Sequence, residues 1–325
     1  MKKKEETSCP SRLGKVGGEA VMEGVMMRCA DNYSTAVRLP DGSIKVIRKN
    51  YVSARKKHKI LNSPVIRGVV SFAESMKLSY AALSLSADAF MSGVPEEPSK
   101  FEKWLEKRFG EKLMNFIMSI AMVFGVALGL GLFLFLPNWI ARGIENLSSL
   151  NLGAWKGAVS GVFKLAIFIL YIYLVSLMKE IRRTFEYHGA EHKSIACYEA
   201  GDALTPENAK KHTRFHPRCG TSFMFVMILF GIIISIITRL VFQNFISFDK
   251  GIYEALFYTG IGIILLPLIC GIGFEFLMYA GKRSEKPLIM ALCKPGMWMQ
   301  RITTREPDLQ QLEVAITALK AAMLD

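Results

Sequence analysis

The chain has no C-x-x-C pair: its cysteines, Cys9, Cys29, Cys197, Cys219, Cys270 and Cys293, are scattered. That spacing excludes a secreted disulfide framework and predicts free thiols facing a reducing cytosol. The first 18 residues contain no apolar core, so no cleaved signal peptide is expected. No internal repeat and no low-complexity segment is evident, which withholds support from an inverted-repeat transporter. Histidine is scarce, at five, too few for a histidine-rich membrane di-iron lipid oxidase. Acidic residues are also short: 28 stand against 41 Lys plus Arg, a formal net charge of +13.

Against that charge, 51% of the 325 residues are hydrophobic and the mean hydropathy is +0.27. Both hold at once only if apolar and charged blocks are segregated, which is what a bilayer demands. Four apolar spans satisfy this. Leu113 to Leu136 carries no charge across 24 residues, about 36 Å of helix. Gly157 to Met178 carries only Lys164, Ser222 to Thr238 is uncharged and extendable past Arg239 to Phe242, and Ala255 to Phe274 is uncharged. Lys164 and Arg239 must then snorkel or face protein. Of the 41 Lys and Arg, 36 fall in 1–112, 179–221 and 282–325. The positive-inside rule makes that side cytoplasmic, with both termini inside a multi-pass cell-membrane protein.

The expected fold is therefore mainly α. Four transmembrane helices (113–178 and 222–281) accompany a small cytoplasmic α+β N-terminal region (1–112), a cytoplasmic His-rich loop (179–221) and a cytoplasmic tail (282–325). Within 1–112, Thr35–Leu39 and Ser43–Ile47 flank Pro40-Asp41-Gly42, a hairpin signal over 35–47, and Val16–Arg28 can add to its sheet. An amphipathic helix is expected over 64–91, opened by Ser63-Pro64, with Val65, Val69, Phe72, Met76, Tyr80 and Leu83 on one face. Insertion of Leu78–Ala87 as a fifth membrane segment is the alternative. In the tail, Leu309, Leu312, Ile316, Leu319 and Met323 mark a docking helix. The basic run over 48–59 points to anionic inner-leaflet lipid and not to nucleic acid.

Chemistry concentrates in the loop. His188-Gly189-Ala190-Glu191-His192 is H-x-x-E-H, the inverted zincin pattern. On a helix, His188 and His192 lie one turn apart on one face and can reach one metal, with Glu191 beside them as general base. At 100° per residue Glu199 falls on the same stripe, a third ligand, and the helix is expected to continue from span two and to stop at Gly201. Thr205-Pro206-Glu207-Asn208 starts a short capped helix before His212. His216 and Cys219, two residues apart, offer a second, structural zinc reading. The expected cofactor is a divalent metal, zinc by preference. Glu275 interrupts the fourth span and is either a further ligand or paired with Lys282 or Arg283. Glu19 and Glu23, four apart, form a carboxylate pair on a helix or strand, with surface acids the default.

Gly17 to Arg28, Tyr187 to Lys193, His216 to Ser222 and Thr303 to Pro307 together resemble the YqhQ-like family of bacterial membrane proteins. The likeness covers nearly the whole chain. It implies a domain of unknown function labelled a metal-dependent enzyme, with Glu23, His188, Glu191, His192, His216 and Cys219 matching its motifs. Three functions follow: a membrane metalloenzyme, most simply a hydrolase; a scaffold or assembly factor with a structural metal; and a transporter.

Overall fold

A computed structural model describes residues 16–91, 116–117, 119–148, 152–248, 251–283 and 286–324. The chain opens with a four-stranded antiparallel meander, β1 (Val16–Val21), β2 (Gly24–Cys29), β3 (Asn32–Arg38) and β4 (Ile44–Asn50), ordered as in the sequence. Arg38 pairs with Ile44 across the expected hairpin. Its turn works through two residues: Gly42 takes φ 85°, and Asp41 accepts from the Ser43 N–H. β2 and β3 are buried nearly throughout, whereas β4 is mostly exposed.

Nine helices of at least six residues follow among the described residues: α1 (Ile66–Met91), α2 (Ser119–Ser148), α3 (Lys156–Val175), α4 (Lys179–Ala200), α5 (Pro206–Lys211), α6 (Gly220–Phe242), α7 (Gly251–Lys282), α8 (Pro287–Thr303) and α9 (Leu309–Met323). Four of them, α2, α3, α6 and α7, are long and apolar enough to cross a membrane. Two departures from expectation have local causes. The first span does not end at Leu136 but runs to Ser148. A π turn over Gly131–Phe135 precedes Pro137, and Asn138 Nδ2 donates to the Leu134 carbonyl, so the helix continues past the proline. The His-rich helix does not continue span two, because Met178, with ψ 136°, separates α3 from α4. Its end at Gly201, φ 84°, is the expected one.

Two compact units result, one of residues up to 94, 172–227 and from 270, the other of 95–171 and 228–269. In the first, α9 covers one face of β2 and β3 and packs on α4. Leu312, Ile316 and Leu319 join Val25, Met27, Ala36, Tyr187 and Ile195 in one core. Each such buried aliphatic side chain contributes about 1.5–3 kcal/mol. Asp308 and Gln311 form a capping box that starts α9. On another part of the sheet, Leu78 and Ala82 of α1 meet Val21, Met26 and Tyr33. The apolar stripe of α1 is not the buried one: Met76, Tyr80 and Leu83 are exposed, and Glu74 is buried. Glu74 accepts from Ser53 Oγ and the Ala54 N–H, holding the helical turn Ala54–Lys57. Cys197, Cys219, Cys270 and Cys293 are free thiols. Cys29 departs from the all-thiol expectation, being disulfide-bonded.

Candidate metal centre

α4 sets His188 and His192 one turn apart, as the spacing requires, and the chain returns through α5 to bring Cys219 against them at the start of α6. The ligating atoms of His188, His192 and Cys219 lie within 4.8 Å of one another. His188 Nε2 is 3.2 Å from Cys219 Sγ, and the two imidazole centroids are 4.5 Å apart. Each ring is held from behind by a backbone carbonyl. His188 Nδ1 lies 2.8 Å from the Thr303 oxygen, and His192 Nδ1 lies 2.5 Å from the Arg214 oxygen. A carbonyl accepts only, so Nδ1 donates in both rings and Nε2 is left for the site. Metal-ligating histidines are oriented in this way.

The middle of α4 is locked to the chain just past the end of α8 beside these rings. A Cβ on Gly189 would stand 2.0 Å from the Arg305 oxygen, so only glycine lets that backbone pass. The Arg305 N–H donates to the Phe185 carbonyl at 2.8 Å. Gln300 holds the incoming His216 at both backbone groups: it accepts from the His216 N–H at 2.8 Å and donates to the His216 oxygen at 2.7 Å. Arg214 donates to the Thr304 oxygen.

Burial and mutual charge set the protonation states. Burial raises the Cys219 thiol, but the His188 and His192 imidazoles outweigh it and hold the thiol well below its ordinary value. Burial lowers His188, yet Cys219 carries it up to about 9. His192 is raised for the same reason. Glu191 is buried, with Oε2 3.8 Å from His188 Nε2, and burial raises its carboxyl above the usual range. Gly18 of β1 admits it: a Cβ there would meet the Glu191 Cγ at 2.9 Å. Glu19, the next residue, is lifted to about 7 by burial, against a hydrogen bond from Ser79, with Glu191 adding repulsion. Its Oε1 is buried and has no hydrogen-bond partner.

The expected site residues are thus divided. Glu199 does not stand third to the imidazoles; it pairs with Arg218 and lies 3.8 Å from His216 Nε2. Cys219 holds that third place. His216 stacks beside His192, with centroids 5.5 Å apart, and Arg218 reaches its Nε2 at 3.4 Å. His212 bonds Asp202 at 2.8 Å and forms a separate group with Cys197. Glu23 sits in the β1–β2 turn with φ 50°, bound by Arg183 and by the Tyr187 hydroxyl at 3.3 Å. A turn breaks the strand periodicity, so Glu19 and Glu23 do not pair, and Glu19 is no surface acid. Glu275 accepts from Arg67 Nε at 2.6 Å and Nη2 at 2.5 Å, a long-range pair that sequence distance hides.

Sequence reasoning did not assign the Thr303 and Arg214 carbonyls, Gln300 or Gly18. The motifs around Gly17 and Thr303 carried a signal for two of them, without a role.

A model of a protein family described as "Protein of unknown function (DUF1385)" matches residues 63–325. The chain is similar to the "Uncharacterized protein YqhQ" of Bacillus subtilis (strain 168), 33% identical over 303 residues, 92% of this chain and 89% of that protein. No solved structure matches.

Proposed function

Because the chain belongs to the protein family of unknown function DUF1385, whose description assigns no chemistry, we propose a function from the site itself. The protein is a multi-pass membrane protein acting as a metal-dependent hydrolase. His188, His192 and Cys219 hold a divalent ion, and Glu191 is the general base. The carrying observation is the convergence of three donors within 4.8 Å, two of them imidazoles whose Nδ1 atoms are committed to carbonyls. Two nitrogens and a thiolate are a zinc donor set, and three protein ligands leave a fourth position open. Zinc held by these residues would lower the pKa of water and polarise a carbonyl or phosphoryl oxygen. Glu191 Oε2 stands 3.8 Å from His188 Nε2, beside that region, and burial raises its carboxyl above the usual range, which strengthens it as a proton acceptor. Glu19 and Ser79 offer the next place for it.

The distribution of Lys and Arg supports a cytoplasmic site, and the exposed run Arg48, Lys49, Lys56, Lys57 and Lys59 supports contact with anionic lipid at that face. The test is metal content of the purified full-length protein, followed by hydrolysis of peptide, ester and phosphate-ester probes. Glu191→Gln is expected to keep zinc and lose hydrolysis at least a hundredfold; His192→Ala is expected to lose both. A wild-type protein without stoichiometric metal after chelator-free purification overturns the reading.

Deep burial favours a second reading, a structural metal: His192 is 2% exposed and Cys219 8%. It predicts that stripping zinc unfolds the sheet unit, and that Glu191→Gln changes nothing measurable.

A further inference from the structure

The basic residues outside the Lys/Arg-rich segments include Arg142, Lys156 and Arg239. These three meet in the second unit, where α2, α3, α6 and α7 end or begin. Glu254 at the start of α7 receives all three: Arg142, Lys156 at 3.2 Å and Arg239 at 2.7 Å. Glu145 takes only Lys156, at 2.5 Å. Among the described residues the cluster therefore holds three cations on two carboxylates, a surplus of one positive charge.

Arg239 is the poorly matched member. Its side chain is 5% exposed, and its Nε is buried with no hydrogen-bond partner. The guanidinium carbon lies 4.1 Å from the Tyr258 ring centroid, so one face is covered by an aromatic ring. An arginine cannot shed its proton, and the carboxylate that Arg239 pairs with is shared with Arg142 and Lys156, so its buried charge is only partly balanced. Beside it is a cavity of about 170 Å³, lined by Glu145, Lys156, Arg239, Gln243, Glu254 and Tyr258 among others. Each liquid water takes about 30 Å³, so the space exceeds what one or two waters fill. Neutral water does not cancel the surplus charge; an anion does.

We infer that this cavity binds the oxyanion of a phosphate group, neutralising the surplus charge that Arg142, Lys156 and Arg239 leave on Glu145 and Glu254. A planar guanidinium beside an ammonium suits the several oxygens of phosphate better than a spherical halide. The oxyanion arrives either as inorganic phosphate or on a phospholipid headgroup, both within reach of the end of a membrane helix.

The experiment uses the full chain in detergent. Inorganic phosphate is titrated at ionic strength held constant with chloride, and thermal unfolding is followed. In parallel, delipidated protein is offered phosphatidylglycerol or diacylglycerol, and bound lipid is counted by native mass spectrometry. Saturable stabilisation by inorganic phosphate, weakened at least tenfold in Arg239→Gln, supports the site with a free ligand. Retention of phosphatidylglycerol over diacylglycerol, lost in Arg239→Gln, without response to inorganic phosphate, supports it with a lipid ligand. Glu145→Gln removes a negative charge and is expected to tighten either ligand several-fold; it decides the matter if Arg239→Gln does not fold. Phosphate acting no differently from chloride together with no preference for phosphatidylglycerol, or a response unchanged in both variants, overturns the inference.

Discussion

In the His188–His192–Cys219 cluster each imidazole has a carbonyl behind it, whereas in the Arg142–Lys156–Arg239 cluster one carboxylate, Glu254, answers three cations. The first uses groups whose charge is adjustable. A thiol and imidazoles shift their protons to suit burial, so the cluster settles without an external counter-ion. The second uses groups that cannot adjust. Arginine stays charged at any depth, so the balance must come from position and number, and there the number falls one short. Titratable donors make an adaptable site; permanent charges make one that selects its ligand by sign.

The comparison breaks most visibly at the donors. Cys219→Ala is expected to lower zinc affinity by at least a hundredfold in competition with a chelator, while Lys156→Ala leaves it unchanged; equal loss in both would dissolve the distinction. Next in size is Glu254→Gln, which strands Arg142 and Arg239 and leaves Lys156 to Glu145. Loss of a buried partner costs about 3–5 kcal/mol, read as thermal unfolding in detergent.

Glu19 tests the adjustable side by pH. Its folded pKa, about 7, lies above the unfolded 4.5, so the folded chain binds more protons between these values and stability falls as pH rises through that window. The full fall is about 3 kcal/mol, and Glu19→Gln should flatten the unfolding-versus-pH curve between pH 5 and 7. A curve of wild-type steepness in that variant would place the proton elsewhere. The smallest effect belongs to an exposed pair. Lys56 and Asp31 lie 2.6 Å apart with side chains 59% and 41% exposed, so Lys56→Ala should cost under about 1 kcal/mol, less in high salt.

Much of the fold was legible because its signals are local. Apolar runs long enough for a bilayer, the Pro40-Asp41-Gly42 turn, the Thr205-Pro206 cap and the Gly201 stop each declare themselves within a few residues. α8 was not expected, since Pro295 and Gly296 interrupt its pattern and its worth lies in Gln300 and Thr303, which serve partners far away in the chain. The outward apolar stripe of α1 misled for a related reason. Periodicity shows that Met76, Tyr80 and Leu83 share a face, but the sheet takes the opposite side, where Glu74 has its own partners.

By itself, the sequence determined the four long apolar helices, the N-terminal hairpin and the placing of His188, Glu191 and His192 on one turn, because helix and strand periodicity fix those relations within an element. Only the tertiary structure decided that Cys219 and not Glu199 joins the imidazoles, that Glu19 is half-buried near Glu191, and that Arg142, Lys156 and Arg239 converge on Glu254. Those neighbours are brought together by chain return, and local periodicity carries no information about which distant segment comes back to a given face.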